Sequence, residues 1–389
     1  MNFDERIDRR DSNSAKWDLM ERLYGVPKDT GIAMWVADMD FRAPDCVQEA
    51  LRRMMDVGIY GYFGDDRAYL SSIVWWMRER HGWDVDPRHV FTTHGLVNGT
   101  SMCIETFTKP GDGIVLFTPV YHAFAKVIRG SGRRVVECRL FNDGGRYGMD
   151  FDSYDKQMDG SERMAILCSP HNPGGRVWTR GELREVAAFS RRHNLILVSD
   201  EIHHDLVYPG VKHTPMVHID GIEDRLVMMS ASTKTFNIAG AHVGNVIIAD
   251  ETLRERFAKR MLGLGMSPNA FGMHMAAAAY SPDGAIWLDE LVQYLDGNRR
   301  LFDGGINSIP GLSSMPLEAT YLAWVDFSGT GMSSEEFAAR VAGDARVAAI
   351  LGSTFGSGGE AFMRFNIGAP RHVIEEAVSR VQDAFMDLQ

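Results

Sequence analysis

Between residues 90 and 249 the chain alternates short apolar runs with segments of helical period, and this alternation restricts the fold more than any other feature. Seven runs stand out: Val90–Thr93, Ile114–Thr118, Arg134–Arg139, Met164–Cys168, Leu195–Ser199, Leu226–Met229 and Val246–Ala249. A strand with one wet face alternates apolar and polar residues. These runs read as continuous instead, which is the pattern of strands covered by helices on both faces. The segments between them predict helices over about 97–107, 124–130 and 182–193. The last is announced by Thr179 and Glu182 at the spacing of a capping box. The fold class is therefore α/β: a mostly parallel seven-stranded sheet flanked by helices, with a smaller α+β domain beside it.

The smaller domain follows from length and from the two ends of the chain. A chain of 389 residues exceeds what one core usually serves. Residues 1–45 look irregular, Pro44 sets up a helix over about 46–56, and a second helix is predicted over about 68–81. The pattern breaks at Ser281-Pro282-Asp283-Gly284 and a long amphipathic helix follows over about 285–302. The tail adds strands at 321–327 and 362–367 and helices at 334–342 and 373–386. The expected division is residues 46–284 for the large domain, and 1–45 with 285–389 for the small one.

Charge and composition exclude some classes of function. A net charge of −11 disfavours attraction to nucleic acid or to an anionic membrane. No stretch approaches the roughly 20 apolar residues that span a bilayer, so the cytoplasm is the expected location. Cys46, Cys103, Cys138 and Cys168 are scattered and form no C-x-x-C pair, which predicts reduced, packed thiols.

In a parallel sheet with helical crossovers, ligands bind at the carboxyl ends of the strands. The run ending at Met229 is followed by Ser230, Ser232 and Thr233 and then Lys234, an amine that can attack an aldehyde beside hydroxyls that can donate to an anion. Gly240 and Gly244 further on permit close backbone approach. Gly95, Leu96 and Val97 open a helix whose first amides are free for an anion. Tyr121 ends another strand with a ring that can stack on a heterocycle, and Asn172 sits in a Pro-rich turn that aims its amide. Asp200 stands at the mouth of an apolar strand, where a carboxylate needs a cation or several donors. Arg364 lies in a largely apolar strand, sharing a face with Phe362 and Asn366, and its planar fork suits a substrate carboxylate. Taken singly, each has an ordinary reading as a surface lysine, a turn, a cap or an internal ion pair. Asp200, His203, His204 and Asp205 lack the H-E-x-x-H pattern, so no metal site is expected.

Together, in order and spacing, these segments resemble the fold type I pyridoxal-phosphate enzymes of the class I/II aminotransferase group, and within it the MalY/PatB cystathionine β-lyase branch. The matching stretches are 16–18, 35–41, 60–62, 169–175, 199–203 and 234–240. The resemblance implies pyridoxal 5'-phosphate as cofactor, with Lys234 bonded to its aldehyde carbon and Asp200 paired with the pyridine nitrogen. It further implies Asn172 on the ring hydroxyl, Tyr121 stacked on the ring, and the Leu96 and Val97 amides with the Ser232 or Thr233 hydroxyl on the phosphate. Tyr62 would reach the phosphate of a neighbouring subunit, which makes the assembly a homodimer with shared active sites. Arg364 would hold the α-carboxylate of an L-amino-acid substrate.

Two positions depart from the wider group, and a third from the lyase branch. His242 stands eight residues after the lysine where many aminotransferases have a phosphate-binding Arg, and His203 stands three after the aspartate where they have a tyrosine. The second substitution favours the lyase branch. Near Tyr121, Ala125 stands where lyase-branch sequences often have a larger aromatic, which implies a different side-chain pocket. The activity implied is a carbon–sulfur β-lyase reaction on L-cystathionine or related L-cysteine S-conjugates, releasing thiol, pyruvate and ammonia. The alternatives are transamination between an L-amino acid and a 2-oxo acid, which the same residues serve, and a regulatory role as a cofactor-containing binding protein.

Overall fold

The seven apolar runs pair into one sheet. In the computed structural model, which describes residues 1–267 and 269–388, the strands are β1 (Val90–Thr93), β2 (Gly113–Thr118), β3 (Arg134–Arg139), β4 (Glu162–Cys168), β5 (Ile196–Asp200), β6 (Leu226–Ser230) and β7 (Gly244–Ile247). Their order is β1-β7-β6-β5-β4-β2-β3. Every neighbouring pair is parallel except those made by β7, which runs antiparallel to both β1 and β6. That reversal decides where the ligand ends meet. The first residue of β7, Gly244, pairs with the last of β1, Thr93, while Cys168 pairs with Asp200 and Asp200 with Met229. Four strand ends and one strand beginning thus share a single rim.

Helices cover both faces, and the strand residues are accordingly buried throughout β2 and β6. Phe117, Phe189 and Tyr154 fill one side, Phe107, Phe124 and Phe257 the other. Each such side chain contributes about 1.5–3 kcal/mol on full burial, so continuous apolar strands are stable only between two helical layers.

Most boundaries fall within one or two residues of the sequence reading, and some differ for identifiable reasons. The helix at Arg180–Arg192 begins on the expected capping box, with Thr179 Oγ1 and the Glu182 carboxylate each satisfying the other's backbone N–H. The break at Ser281 is itself a helix start: Ser281 Oγ accepts from Gly284 N at 3.2 Å, Pro282 occupies the first turn, and the helix continues to Asn307. β7 begins two residues earlier than the apolar run suggests, because Gly244 and Asn245 pair with β1 though neither is apolar. A hairpin, Phe141–Asp143 with Arg146–Gly148, and the helices Phe151–Gln157, Glu251–Gly263 and Ala270–Ala279 had no counterpart in the sequence reading.

A second sheet of four antiparallel strands combines Ser313–Ser314, Leu322–Asp326, Phe362–Asn366 and Ile350–Leu351, with Trp324 opposite Arg364. Near the N-terminus, Ile32–Ala33 pairs with Val347–Ala348. The chain from Trp35 to Phe41 is thereby carried across from this second sheet to the rim of the large one. Among the described residues, no helix is long and apolar enough to cross a membrane.

Candidate active site

Lys234 lies on a single helical turn, Ser232–Thr235, directly after β6. Its Nζ donates to Ala37 O at 2.6 Å, and Tyr321 Oη donates to the same oxygen at 2.9 Å. Burial and the nearby Arg364 guanidinium lower the lysine pKa to about 8, against the pull of Asp38 and Asp200. A buried ammonium is poorly solvated, so the amine gives up its proton more readily than a surface lysine.

The end of the neighbouring strand carries Asp200, buried and hydrogen-bonded by the Ile202 amide at 3.1 Å. Among the described residues no Lys or Arg forms an ion pair with it, and burial pushes its pKa up to about 7. This carboxylate lacks a cation. His203 is buried beside it with Nδ1 unpartnered, and burial together with Lys234 and Arg364 lowers its pKa to about 3, which keeps the imidazole neutral.

On the other side stands Arg364. Its guanidinium donates to Asn172 Oδ1 at 3.0 Å and to Trp35 O at 2.9 Å, and Nε has no partner among the described residues. Burial pushes its pKa down to about 10. The charge is still present at neutral pH, and it faces two neutral oxygens and the Phe355 ring, 4.9 Å from the guanidinium carbon, with no carboxylate partner among the described residues. Asn366, two residues on and on the same face, donates to the carbonyls of Val36 and Asp38 at 2.6 Å each. Asn237 donates to the carbonyls of Met39 and Phe41 and accepts from the Met39 amide. Residues 35–41 are therefore strapped over the lysine by Arg364 and Asn366 of the second sheet and by Asn237 of the segment that follows the lysine turn.

The rim at β1 is shaped for an anion. Gly95 caps the helix Leu96–Phe107 with φ 85°, a backbone setting that favours glycine, and no side chain caps that helix. Its first amides are left for a ligand. A Cβ on Gly244 would lie 2.6 Å from Leu96 Cδ2 and 3.1 Å from the Gly95 carbonyl carbon, so close approach of β7 requires glycine there. Ser230 Oγ and Ser232 Oγ are buried and unpartnered among the described residues, and Thr233 is buried next to them. Tyr121 caps the helix His122–Gly130 with Ala125 packed in the same cluster, and its phenol is held protonated by burial.

Not every sequence candidate joins this group. Tyr62 is fully exposed, in an open groove of ≈ 940 Å³ lined also by Tyr60 and Phe271. Gly240 is exposed, and a Cβ on it would meet nothing within 4 Å, so the close approach expected there is not made. His242 is exposed, at φ 45°. Three contributors escaped the sequence reading: Tyr321, the Ala37 carbonyl, and His122, whose buried Nδ1 is unpartnered and whose pKa burial lowers to about 4. Only the position of His122, immediately after Tyr121, was a usable signal.

Among the described residues the arrangement offers an amine, a carboxylate without a Lys or Arg partner, helix amides and hydroxyls without partners, and a guanidinium without an anion. It calls for a ligand that is anionic at one end and cationic in the middle, and for a second ligand bearing a carboxylate. Residues 32–381 match the family model for aminotransferase class I and II. Cystathionine beta-lyase PatB of Bacillus subtilis (strain 168) is 38% identical over 388 residues, which cover 99% of this chain and 100% of the relative. Among solved structures, cystalysin from Treponema denticola, which contains pyridoxal 5'-phosphate, superposes with a TM-score of 0.94 at 35% identity, covering 100% of this chain and 99% of that one. A pyridoxal-phosphate-bound putative aminotransferase from Clostridium difficile 630 superposes with a TM-score of 0.95 at 35% identity, covering 99% of both chains. With the match running the length of both sheets and through every strand end of the rim, the chain belongs to the aminotransferase class I and II family.

Proposed function

We propose that this protein is a pyridoxal-phosphate-dependent carbon–sulfur β-lyase, cleaving L-cystathionine or a related L-cysteine S-conjugate to a thiol, pyruvate and ammonia. The observation that carries the reaction type is the full-length similarity to a relative named cystathionine beta-lyase. The unmet demands of the rim support the cofactor. Lys234 is the residue to bond its aldehyde carbon, Asp200 to face the ring nitrogen, Asn172 and His203 to lie at the ring hydroxyl, and Tyr121 to stack on the ring. The Gly95, Leu96 and Val97 amides with the Ser232 and Thr233 hydroxyls are suited to the phosphate, with Tyr62 reaching in from a second copy of the chain. Its complete exposure supports that homodimeric arrangement. The division into residues 46–284 and residues 1–45 with 285–389 would put the rim between two domains. The four free cysteines support a reducing compartment, the cytoplasm.

When bound, the cofactor ring withdraws electrons from the carbon that carries the substrate amino group. Arg364 grips the substrate α-carboxylate, and Asn172, 3.0 Å from its guanidinium, fixes the direction of that grip. Lys234 Nζ takes the proton from Cα. Its lowered pKa leaves part of the population neutral near pH 7, as a general base requires. Asp200 holds its negative charge against the ring nitrogen and keeps that nitrogen protonated. The strap at residues 35–41 limits water at the amine. With a sulfur substituent on Cβ, the electron pair left at Cα forms a Cα=Cβ bond as the C–S bond breaks with its pair leaving on sulfur, which is favourable because a thiol has a pKa near ~8.5. The thiolate takes up a proton, and the released enamine takes up one water to give pyruvate and ammonia.

The test is to incubate the holoenzyme with L-cystathionine and assay pyruvate and free thiol without added oxo acid. Equal release of both is the expected result. Amino-group transfer to an added 2-oxo acid with no pyruvate burst would replace the lyase reading by transamination. Absence of turnover with any amino acid would leave a cofactor-containing binding protein.

A further inference from the structure

Behind the strand end that carries Asp200 lies a second group of ionisable side chains that the proposed reaction does not use. Glu201, His204, Asp205 and His213 are buried, and the side chain of His81 is buried with them. The Glu201 carboxylate accepts from Ser199 Oγ at 2.9 Å and from the Met216 amide at 2.8 Å, and lies 2.9 Å from His213 Nε2. The Asp205 carboxylate accepts from Trp76 Nε1 at 3.0 Å and from Thr235 Oγ1 at 2.7 Å, and lies 2.8 Å from His81 Nε2. Neither carboxylate has a Lys or Arg partner among the described residues. His204 stands between them. Its Nε2 is 3.6 Å from Asp205 Oδ2 with no hydrogen-bond partner, and His213 Nδ1 is also unpartnered.

Two sets of three potential ligand atoms lie within 4.8 Å of one another: His81, His204 and Asp205, and Glu201, His204 and His213. Ring geometry separates them. His81 and His204 are stacked, with centroids 4.0 Å apart and planes 23° from parallel, so their in-plane lone pairs run side by side and do not converge on one ion. His204 and His213 are inclined at 60° with centroids 6.3 Å apart, so they are not stacked and their lone pairs are not held side by side, while one ligand atom of each lies within 4.8 Å of the other and of a Glu201 oxygen.

We propose that Glu201, His204 and His213 form a binding site for one divalent transition-metal ion of the zinc class. Two imidazoles and a carboxylate are a ligand set that zinc accepts, with ligand distances of about 2.0–2.2 Å and a fourth position left for water. A dication also offsets the two buried carboxylates, whose nearest basic side chains are histidines and which no Lys or Arg among the described residues pairs with. Asp205, hydrogen-bonded from the two sides by His81 and Thr235, supports the site from behind. The ion would tie the end of β5 to the segment around His213 and leave the chemistry at Lys234 untouched. Sequence spacing hides it, since His213 enters only through folding.

The experiment uses tag-free holoenzyme produced in zinc-supplemented medium, desalted, with metal measured by mass spectrometry. About one zinc per chain is expected, falling at least about tenfold in His204→Gln and in His213→Gln but not in the exposed His372→Gln. X-ray absorption at the zinc edge of the wild-type protein reports the ligand shell without relying on variants, and two imidazoles with oxygen are expected. Wild-type protein with less than about a tenth of an ion per chain, or a zinc shell without imidazole, or variants that fold and keep the metal, would overturn the assignment.

Discussion

Arg364→Met removes the guanidinium while keeping an unbranched stem, and its consequences separate binding from stability. Arg364 is 2% exposed and faces the Asn172 side-chain oxygen and the Trp35 carbonyl, with no carboxylate among the described residues to pair with it. A substrate carboxylate held by two charge-assisted bonds gains about 1.5–3 kcal/mol from each, so the loss should be about 3–6 kcal/mol, or roughly 10²–10⁴ in kcat/KM. Stability should barely move. Two oxygens lose their donor, at about 1–3 kcal/mol each, while an unpaired buried cation is removed, which is worth a comparable amount in the opposite direction. The two sides cancel to within about 1 kcal/mol, and Tm should change by less than about 4 °C. Steady-state pyruvate release on L-cystathionine and thermal melting of the same preparation measure both. A variant that loses less than about tenfold in kcat/KM, or one that melts far earlier than the wild type, would refute the reasoning that this cation is kept for a ligand.

Three further outcomes follow from the rim. Cofactor uptake by the apoenzyme requires neutral Lys234; because burial lowers its pKa to about 8, the uptake rate should climb with pH through that value and level off above it, and a rate that is flat from pH 7 to 9 by stopped-flow absorbance would contradict this. Asp200→Ala should cost at least about 10²-fold in turnover while part of the cofactor stays bound, read from pyruvate release against visible absorbance; wild-type turnover would remove Asp200 from its assigned role. Tyr62→Phe should weaken cofactor retention by about tenfold or more, the worth of one hydrogen bond to a charged group, as measured by equilibrium dialysis; unchanged retention would dissociate Tyr62 from the neighbouring site.

The candidate site was legible wherever a residue's place follows from a strand end. Lys234, Asp200 and Asn172 each come directly after an apolar run, and in a sheet covered on both faces those ends share one edge. Arg364 was legible for a different reason, since a guanidinium in a strand of Phe and Met has to be there for a ligand or a partner. Tyr321 and the Ala37 carbonyl were not legible. A phenol at the start of a strand and a backbone oxygen carry no local signal, and they reach Lys234 only because the 35–41 segment crosses between the two sheets. Gly240 and Gly244 look alike in sequence, yet only Gly244 is needed, because only it meets the Gly95 turn.

By itself the sequence determined the local and periodic features: which segments are strands, that both their faces are covered, where Thr179 starts a helix, and which few polar residues stand at the strand ends. These depend on neighbours a few positions apart, which a sequence displays directly. Only the tertiary structure decided that β7 runs antiparallel, so that Gly244 begins at the rim where its neighbours end, and that Asn366 and Asn237 strap residues 35–41 over the lysine. It also decided that His204 and His213, nine positions apart and unremarkable in order, share a buried space with Glu201. Such contacts depend on packing between elements, and the free energy that selects them is spread over the whole core rather than written in any one segment.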